Sequence, residues 1–190
     1  MAATVLHMSM SVDGFIAGPN VRPDNGLGDG GERLHEWFFA DVPGSVNHAV
    51  GQEYRSTGAV IAGRATFEPA GGWGGDHHDG VPIFILSRHP KPDWAADWPL
   101  VSYMSDLDEI VRLARAAAGD QDIMVHGSSL AQRMIPAGLL DELQIHLIPV
   151  LLGDGLALFD HLGLPQRELE LVWMREGEGG IAHLRYRIAH

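Results

Sequence analysis

The chain has 190 residues and a mass of 20.6 kDa, with 45% apolar and 20% charged residues, enough to build one buried core and too apolar for a disordered chain. Thirteen bases against 25 acids give a net charge of −12, which repels duplex nucleic acid at long range. The absence of cysteine excludes disulfides, thiolate metal centres, iron–sulfur clusters and cysteine nucleophiles, and it fits a reducing compartment.

Residues 1–10 carry no basic leader, and His7 interrupts their apolar run, so no signal peptide is expected. No 18-residue apolar stretch follows, so no membrane span is expected either. The expectation is a soluble, cytoplasmic protein folded as one domain over residues 1–190. Residues 4–10 form a compact apolar run that stops at Asp13-Gly14 and predicts a buried strand. Phe15-Ile16-Ala17 and a Gly18-Pro19-Asn20 turn come next, then a loop over 21–31. Leu34, Trp37 and Phe38 have helical spacing within 32–40, and Ser45 is placed to cap a second helix ending near Gly58.

Residues 59–62 are a short apolar strand stopped by Gly63, and 64–68 read as the start of a helix. The His- and Gly-rich segment 71–80 reads as a flexible solvent loop. Short strands are expected at 82–86 and 100–103. Residues 105–119 give the clearest helix, with Ser105 and Asp108 as an approximate capping box and Gly119 as its stop. A strand at 122–126 ends at Gly127, and a short helix at 128–135 is ended by Pro136. A long strand at 141–152 and a hairpin of 168–175 with 181–188 complete the chain. Strand–helix alternation followed by antiparallel strands predicts an α/β fold of three layers, αβα, around a mostly parallel sheet with an antiparallel C-terminal hairpin.

In such sheets ligands sit at the carboxyl ends of the strands. Three strand ends carry similar chemistry: Gly63-Arg64-Ala65-Thr66, Ser87-Arg88 and Gly127-Ser128-Ser129. Glycine lets a ligand approach the backbone, helix starts offer unpaired N–H groups, and arginine adds charge-assisted bonds. Each turn alone reads as an ordinary cap. Three together suit a ligand with several phosphates, such as a phosphorylated dinucleotide. Twelve of the thirteen bases are arginine, and the single lysine, Lys91, lies between two prolines with no G-x-x-x-x-G-K run anywhere, which excludes a P-loop.

These residues also carry a resemblance. Met8-Ser9-Met10-Ser11-Val12-Asp13-Gly14-Phe15-Ile16-Ala17, Gly63-Arg64-Ala65-Thr66-Phe67-Glu68, Leu86-Ser87-Arg88, and Gly138-Leu139-Leu140-Asp141-Glu142-Leu143 with Ile148-Pro149-Val150-Leu151-Leu152-Gly153-Asp154-Gly155 and Leu158-Phe159 stand in order along nearly the whole chain. They resemble the dihydrofolate reductase superfamily, and within it the reductase domain of the riboflavin-pathway deaminase–reductase. The resemblance implies NADPH as cofactor, a small-molecule substrate and a homodimer. Carried over, Gly63, Arg64, Ala65 and Thr66 hold cofactor phosphate, and Ser87 and Arg88 face the 2′-phosphate. Gly127, Ser128, Ser129 and Leu130 cradle the pyrophosphate, while Ile16 and Ala17 meet the nicotinamide carboxamide. The chain departs from the pattern in having Gly127-Ser128 where two glycines are common, and Val125 where the pyrimidine reductases carry a substrate-binding Glu.

Asp13 is the expected catalytic acid, because it follows a buried strand beside the nicotinamide turn and hydride transfer also needs a proton. An Asx turn is the competing reading of the same residue. Gly26-Leu27-Gly28-Asp29-Gly30-Gly31 fits G-x-G-x-x-G but lacks a preceding strand, so it is expected as a mobile loop suited to a lid. His77-His78 is set aside as a metal site, and no metal is expected. Glu32 and Glu36 do not fall in register for a folate-binding acid, since Leu34 lies nearest that position. The leading function is an NADPH-dependent reductase acting on a planar heterocycle, pyrimidine, pterin or related, and similar to 5-amino-6-(5-phosphoribosylamino)uracil reductase. The alternative is an NADPH-binding module of the same fold without turnover.

Overall fold

A computed structural model describes residues 2–160 and 162–189. Met1, His161 and His190 lie outside the described residues, so the ends of the expected 1–190 domain and two of the eleven histidines do too. The strands are β1 (Thr4–Ser11), β2 (Phe15–Ala17), β3 (Ala59–Gly63), β4 (Ile83–Leu86), β5 (Val101–Met104), β6 (Ile123–His126), β7 (Glu142–Ile148), β8 (Leu156–Ala157), β9 (Leu169–Glu176) and β10 (Ala182–Ile188). The α-helices are α1 (Glu36–Ala40), α2 (Val46–Arg55), α3 (Arg64–Phe67), α4 (Leu107–Ala118) and α5 (Ser128–Met134).

Eight strands form one sheet in the order β5-β4-β3-β6-β1-β7-β10-β9. The pairs from β5 through β7 are parallel, and β7–β10 and β10–β9 are antiparallel. The short apolar runs become the parallel strands because both of their faces are covered. One face packs Leu6, Ile61, Phe84 and Val125 under α4 and α5, whose Ile110, Ala114, Leu130 and Met134 are buried there. The other face carries two smaller clusters. Phe67, Met124 and Ile85 pack with Tyr54 and Trp73 at their edge, and Leu34, Trp37 and Val50 pack against Ile148 and Ile181. The structure is therefore α/β, with the expected parallel sheet and antiparallel C-terminal hairpin.

Local differences from the sequence reading have local causes. The cap of α4 is Asp106, whose side chain accepts the Glu109 N–H at 3.0 Å; Ser105 lies outside the helix and borders a cleft. The expected helix at 32–40 splits into a 3-10 turn at Gly31–Leu34 and a short α1, with His35 at the break. The expected strand at 141–152 stops at Ile148. Beyond it the carboxylate of Asp13 accepts the N–H groups of Leu152 (3.2 Å) and Gly153 (2.7 Å) and holds the chain in a turn. Ser45 does cap α2, accepting the His48 N–H at 2.9 Å.

The two loops expected to be mobile are packed. Gly18 donates to the Leu27 carbonyl at 2.8 Å and Asp29 to the Pro19 carbonyl at 2.8 Å, while the Asp29 carboxylate takes the amides of Asn20 and Asn25. In segment 71–80, Gly72, Trp73 and Gly74 have φ of 60°, 52° and 65°. A Cβ at Gly72 would lie within 3 Å of the rings of Trp98, Phe67 and Trp94. The glycines there serve close packing against an aromatic cluster. They also carry Trp73 into a backbone region unusual for a side-chain residue.

Candidate functional site

The carboxyl ends of β3 and β4 and the helix α5 that follows β6 meet at one cleft of about 270 Å³. Gly63, Arg64 and Ala65 line it from the first, Ser87, Arg88 and His89 from the second, and Ser129, Leu130 and Arg133 from α5. The turns touch. A Cβ at Gly63 would stand 3.6 Å from the Ser129 hydroxyl, and one at Gly127 would fall 2.3 Å from Thr66 Oγ1. Gly127 also has φ +98°, so this turn accepts no side chain and its bare backbone rests against α3.

Three guanidinium groups, Arg64, Arg88 and Arg133, therefore surround a small cleft in a strongly acidic chain. Arg64 also pairs with Glu68 at 3.0 Å. The Ser87 hydroxyl donates to the His89 carbonyl and accepts the His89 N–H, both at 2.9 Å. It closes its own turn and leaves Arg88 as the exposed group. Sequence reasoning missed Arg133. The usable signal was its spacing, four residues after Ser129 and so on the same face of α5.

Ala65 also lines a second, larger cavity of about 700 Å³. Ile16 and Ala17 border it from β2, Thr66 and Gly127 from beside Ala65, and Gly26 and Leu27 from the packed loop. Its sides are aromatic: Trp37, Phe38, Tyr54 and Trp73. Trp37 is held by its indole N–H, which donates to Ser9 Oγ at 2.9 Å. Ser128 is buried and borders neither space, and Asp13 borders neither. The Asp13 carboxyl is held below the usual carboxylate range by the Ser11 side chain and by the amides of Gly153 and Leu152. An acid so placed is ionised at neutral pH and tied to a turn, which is the Asx-type reading rather than that of a proton donor.

The floor of the larger cavity is where the sequence reading fell short. In parallel and antiparallel register, His7 lies beside Gln144, Ser9 beside His146, and His183 beside His146, while Ala62 pairs with His126. Polar residues at alternate positions of the central strands thus share one sheet face. His7, His35, His77, His126 and His146 all line the cavity. Burial is the main cause that lowers each of them, holding His7 and His126 near 3 and His77 near 2. His146 and His35 are lowered by the same cause. These imidazoles are neutral at physiological pH. His7 Nδ1, His35 Nδ1 and His146 Nε2 are buried with no hydrogen-bond partner within the protein, an arrangement expected where a ligand or water supplies the missing bonds.

His77 and His78 are half-buried rather than free in solvent. His77 Nε2 lies 3.1 Å from Tyr54 Oη, and His78 Nε2 lies 3.0 Å from the Thr57 carbonyl. Among the described residues, no group of three or more His, Asp or Glu side chains is arranged to hold a metal ion. No helix among them is long and apolar enough to cross a membrane.

The family model for the RibD C-terminal domain matches residues 3–182. The chain belongs to the RibD C-terminal domain family. Solved structures with the same fold include a provisionally assigned riboflavin biosynthesis protein from Shewanella sp. PV-4, at 21% identity, TM-score 0.71 and full coverage of both chains. A pyrimidine reductase-like protein from Corynebacterium diphtheriae is 14% identical at TM-score 0.68, covering all of this chain and 92% of that one. Dihydrofolate reductase from Enterococcus faecalis, solved with NADP(H), is 15% identical at TM-score 0.56, with 99% and 97% covered. No curated protein matches the chain in sequence. Membership of the RibD C-terminal domain family supports a riboflavin-pathway reductase-like fold. Within that frame Val125 is fully buried beneath α4 and α5, and the neighbouring His126 faces the cavity instead.

Proposed function

We propose that the protein is an NADPH-dependent reductase whose cofactor lies along the line from the small cleft to the large cavity. The observation that carries this reading is the convergence of the Gly63 turn, the Ser87 turn and the start of α5 on one arginine-lined cleft that shares Ala65 with an aromatic-walled cavity, which Gly127 borders. The bare Gly127 turn fits a cofactor whose pyrophosphate must approach the backbone closely. Arg88, with Arg133 opposite, suits the 2′-phosphate, because a guanidinium stays charged and forks onto a dianion. Arg64 and Thr66 hold phosphate at the start of α3, and Ile16 and Ala17 offer backbone groups to the carboxamide. Bound there, the dihydronicotinamide supplies a hydride.

The larger cavity describes the acceptor. Trp37 and Trp73 suit a flat ring, and the unpartnered imidazole nitrogens of His7, His35 and His146 suit its polar edge. The guanidinium in that cavity, Arg55, lies 4.8 Å from the centre of the Phe38 ring and 3.7 Å from the Asp41 carboxylate. The floor groups are neutral. This supports an uncharged planar heterocycle over a phosphoribosylated pyrimidine, in keeping with Val125 at the position of the expected Glu. The proposal of an NADPH-binding module without turnover has no feature of this cavity in its favour.

The test is a titration of NADPH and NADH into purified protein, followed by tryptophan emission. Saturable NADPH binding is expected, and its absence for both cofactors overturns the reading. Arg88→Ala is expected to weaken NADPH by about ten- to a hundredfold, the range for a lost charged hydrogen-bond partner of about 1.5–3 kcal/mol. NADH affinity is expected to hold within twofold. Equal losses for both cofactors contradict the 2′-phosphate assignment.

A further inference from the structure

We propose that Thr57, His78, His77, Tyr54 and His126 form a hydrogen-bonded proton wire that carries a proton from the protein surface to the wall of the large cavity. The inference rests on the reductase reading for its purpose, since hydride transfer to a C=N or C=O acceptor must be completed by a proton.

The contacts run without a gap. His78 Nδ1 and His77 Nδ1 are 2.8 Å apart, His77 Nε2 is 3.1 Å from Tyr54 Oη, and Tyr54 Oη is 2.8 Å from His126 Nε2. Two imidazoles whose Nδ1 atoms face each other at hydrogen-bond distance need one proton between them. A phenol flanked by two Nε2 atoms is satisfied when one of these is protonated and the other bare. Those conditions allow two self-consistent settings of the chain.

In the first setting, His78 Nε2–H donates to the Thr57 carbonyl and His77 Nδ1–H to His78 Nδ1. Tyr54 O–H then donates to His77 Nε2, and His126 Nε2–H to Tyr54 Oη. In the second, every donor and acceptor reverses, and His126 Nδ1 carries the proton at the inner end, where the backbone of His7 accepts it. The outer end is built for both. His78 Nε2 stands 3.0 Å from the Thr57 carbonyl, which accepts in the first setting, and 3.2 Å from the Thr57 hydroxyl, which donates in the second. That hydroxyl has an alternative acceptor in the first setting, the Tyr54 carbonyl at 3.3 Å.

Passing from the second setting to the first releases one proton at His126 Nδ1 and takes up one from water at His78 Nε2. No ring on the way becomes charged, which matters where burial disfavours charge. The nicotinamide cofactor is the reductant and contributes both electrons with the hydride, so the wire moves protons alone. His126, Tyr54 and His77 line the cavity, whereas His78 stands outside its wall beside the exposed Asp79 and Gly80. Asp13 borders neither cavity, and this wire replaces it as the proton source.

Nitrogen NMR on protein with 15N-labelled histidine, without cofactor, separates protonated from bare ring nitrogens and tests the coupling directly. Thr57→Val removes the hydroxyl that donates to His78 in the second setting alone. It is expected to shift the ring nitrogens of His78, His77 and also His126, four links away. In a Tyr54→Phe background the same change is expected to reach His78 and His77 and to stop short of His126. If His126 does not respond in the wild-type background, or responds equally in both, the wire is refuted. His77→Gln serves as a second interruption should circular dichroism show Tyr54→Phe misfolded, and the same two outcomes decide. In the activity arm, NADPH consumption is followed with a pyrimidine, pterin and flavin panel in water and in deuterium oxide. Tyr54→Phe is expected to lower turnover by about a hundredfold or more while leaving NADPH affinity by tryptophan emission unchanged. Unaltered turnover with the same solvent isotope effect overturns the role in reduction. Failure of the wild-type protein to bind NADPH would sink the reductase reading, and the NMR arm would still judge the wire.

Discussion

The Asp13 carboxylate gathers two backbone N–H groups, from Leu152 and Gly153, across the gap between β1 and the end of β7. That turn leads into β8, which pairs with β2, and β2 carries Ile16 and Ala17 to the cavity. A single short side chain thus sets the position of one wall through backbone contacts alone. Its hydrogen bonds favour the ionised form, with Ser11 the largest contributor. A depressed carboxyl adds stability above its unfolded pKa and loses it as pH falls through the lower folded value. Asp13→Ala is accordingly expected to lower the thermal midpoint at pH 7 and to narrow the gap from wild type in acid. It should leave the proposed Arg88-dependent preference for NADPH over NADH intact. A thermal scan at two pH values and the two cofactor titrations check this. Loss of turnover without loss of thermal stability would return Asp13 to a chemical role.

At the level of elements, the β9–β10 ribbon shows how one irregularity selects a face. Leu169, Leu171 and Met174 pair with Ile188, Tyr186 and Leu184, and the register shifts between Arg185 and Tyr186 so that Val172 is passed over. Without the bulge, strand alternation would place Trp173 on the face of Leu169 and Leu171. With it, Met174 joins them, and all three are exposed on an edge strand. A long edge with an apolar face is a template for self-association unless something covers it. A second copy of this chain is the expected cover, in line with the homodimer that the family resemblance implies. Leu171→Glu is expected to convert a dimer to monomer in sedimentation velocity without altering the far-ultraviolet spectrum. A wild-type protein that sediments as a monomer at tens of micromolar refutes the dimer.

The same ribbon and its neighbours show what could be read in advance. The parallel strands were visible because their apolar runs are short and end in glycine or serine, and the α4 stripe was visible because it is regular. The glycine and serine turns at 63, 87 and 127 were visible for the same reason, as turn chemistry is local. The histidines were not. His7, His126, His146 and His183 look dispersed in sequence, and only the register of β1, β6, β7 and β10 lays them on one face. Polar residues at every second position of an otherwise apolar strand were the available signal. The tight packing of segment 71–80 was hidden because it depends on Trp94 and Trp98, distant in sequence, closing over its glycines.

For the whole molecule, a sheet face built on buried neutral imidazoles has a thermodynamic consequence. In the folded protein burial holds His7 and His126 near 3, His77 near 2 and His183 near 4, against about 6.5 for an unfolded chain. Above pH 6.5 neither state takes up these protons and the imidazoles cost nothing further. Below it the unfolded chain binds protons that the folded protein refuses, so stability falls as pH falls. Each such histidine contributes a slope of up to about 1.4 kcal/mol per pH unit, and the four together up to about 5. Set against a usual folding stability of about 5–15 kcal/mol, that slope brings unfolding between about pH 6 and 4, before His183 can recover its proton in the folded state. Circular dichroism and tryptophan emission followed from pH 8 downward are expected to show a single steep loss in that window. His7→Gln is expected to move the midpoint to lower pH, because one buried group that resists charging has been removed. A protein that stays folded to pH 3 would mean that these imidazoles take up protons in place, and the neutral floor on which both the acceptor cavity and the proton wire depend would be lost with that result.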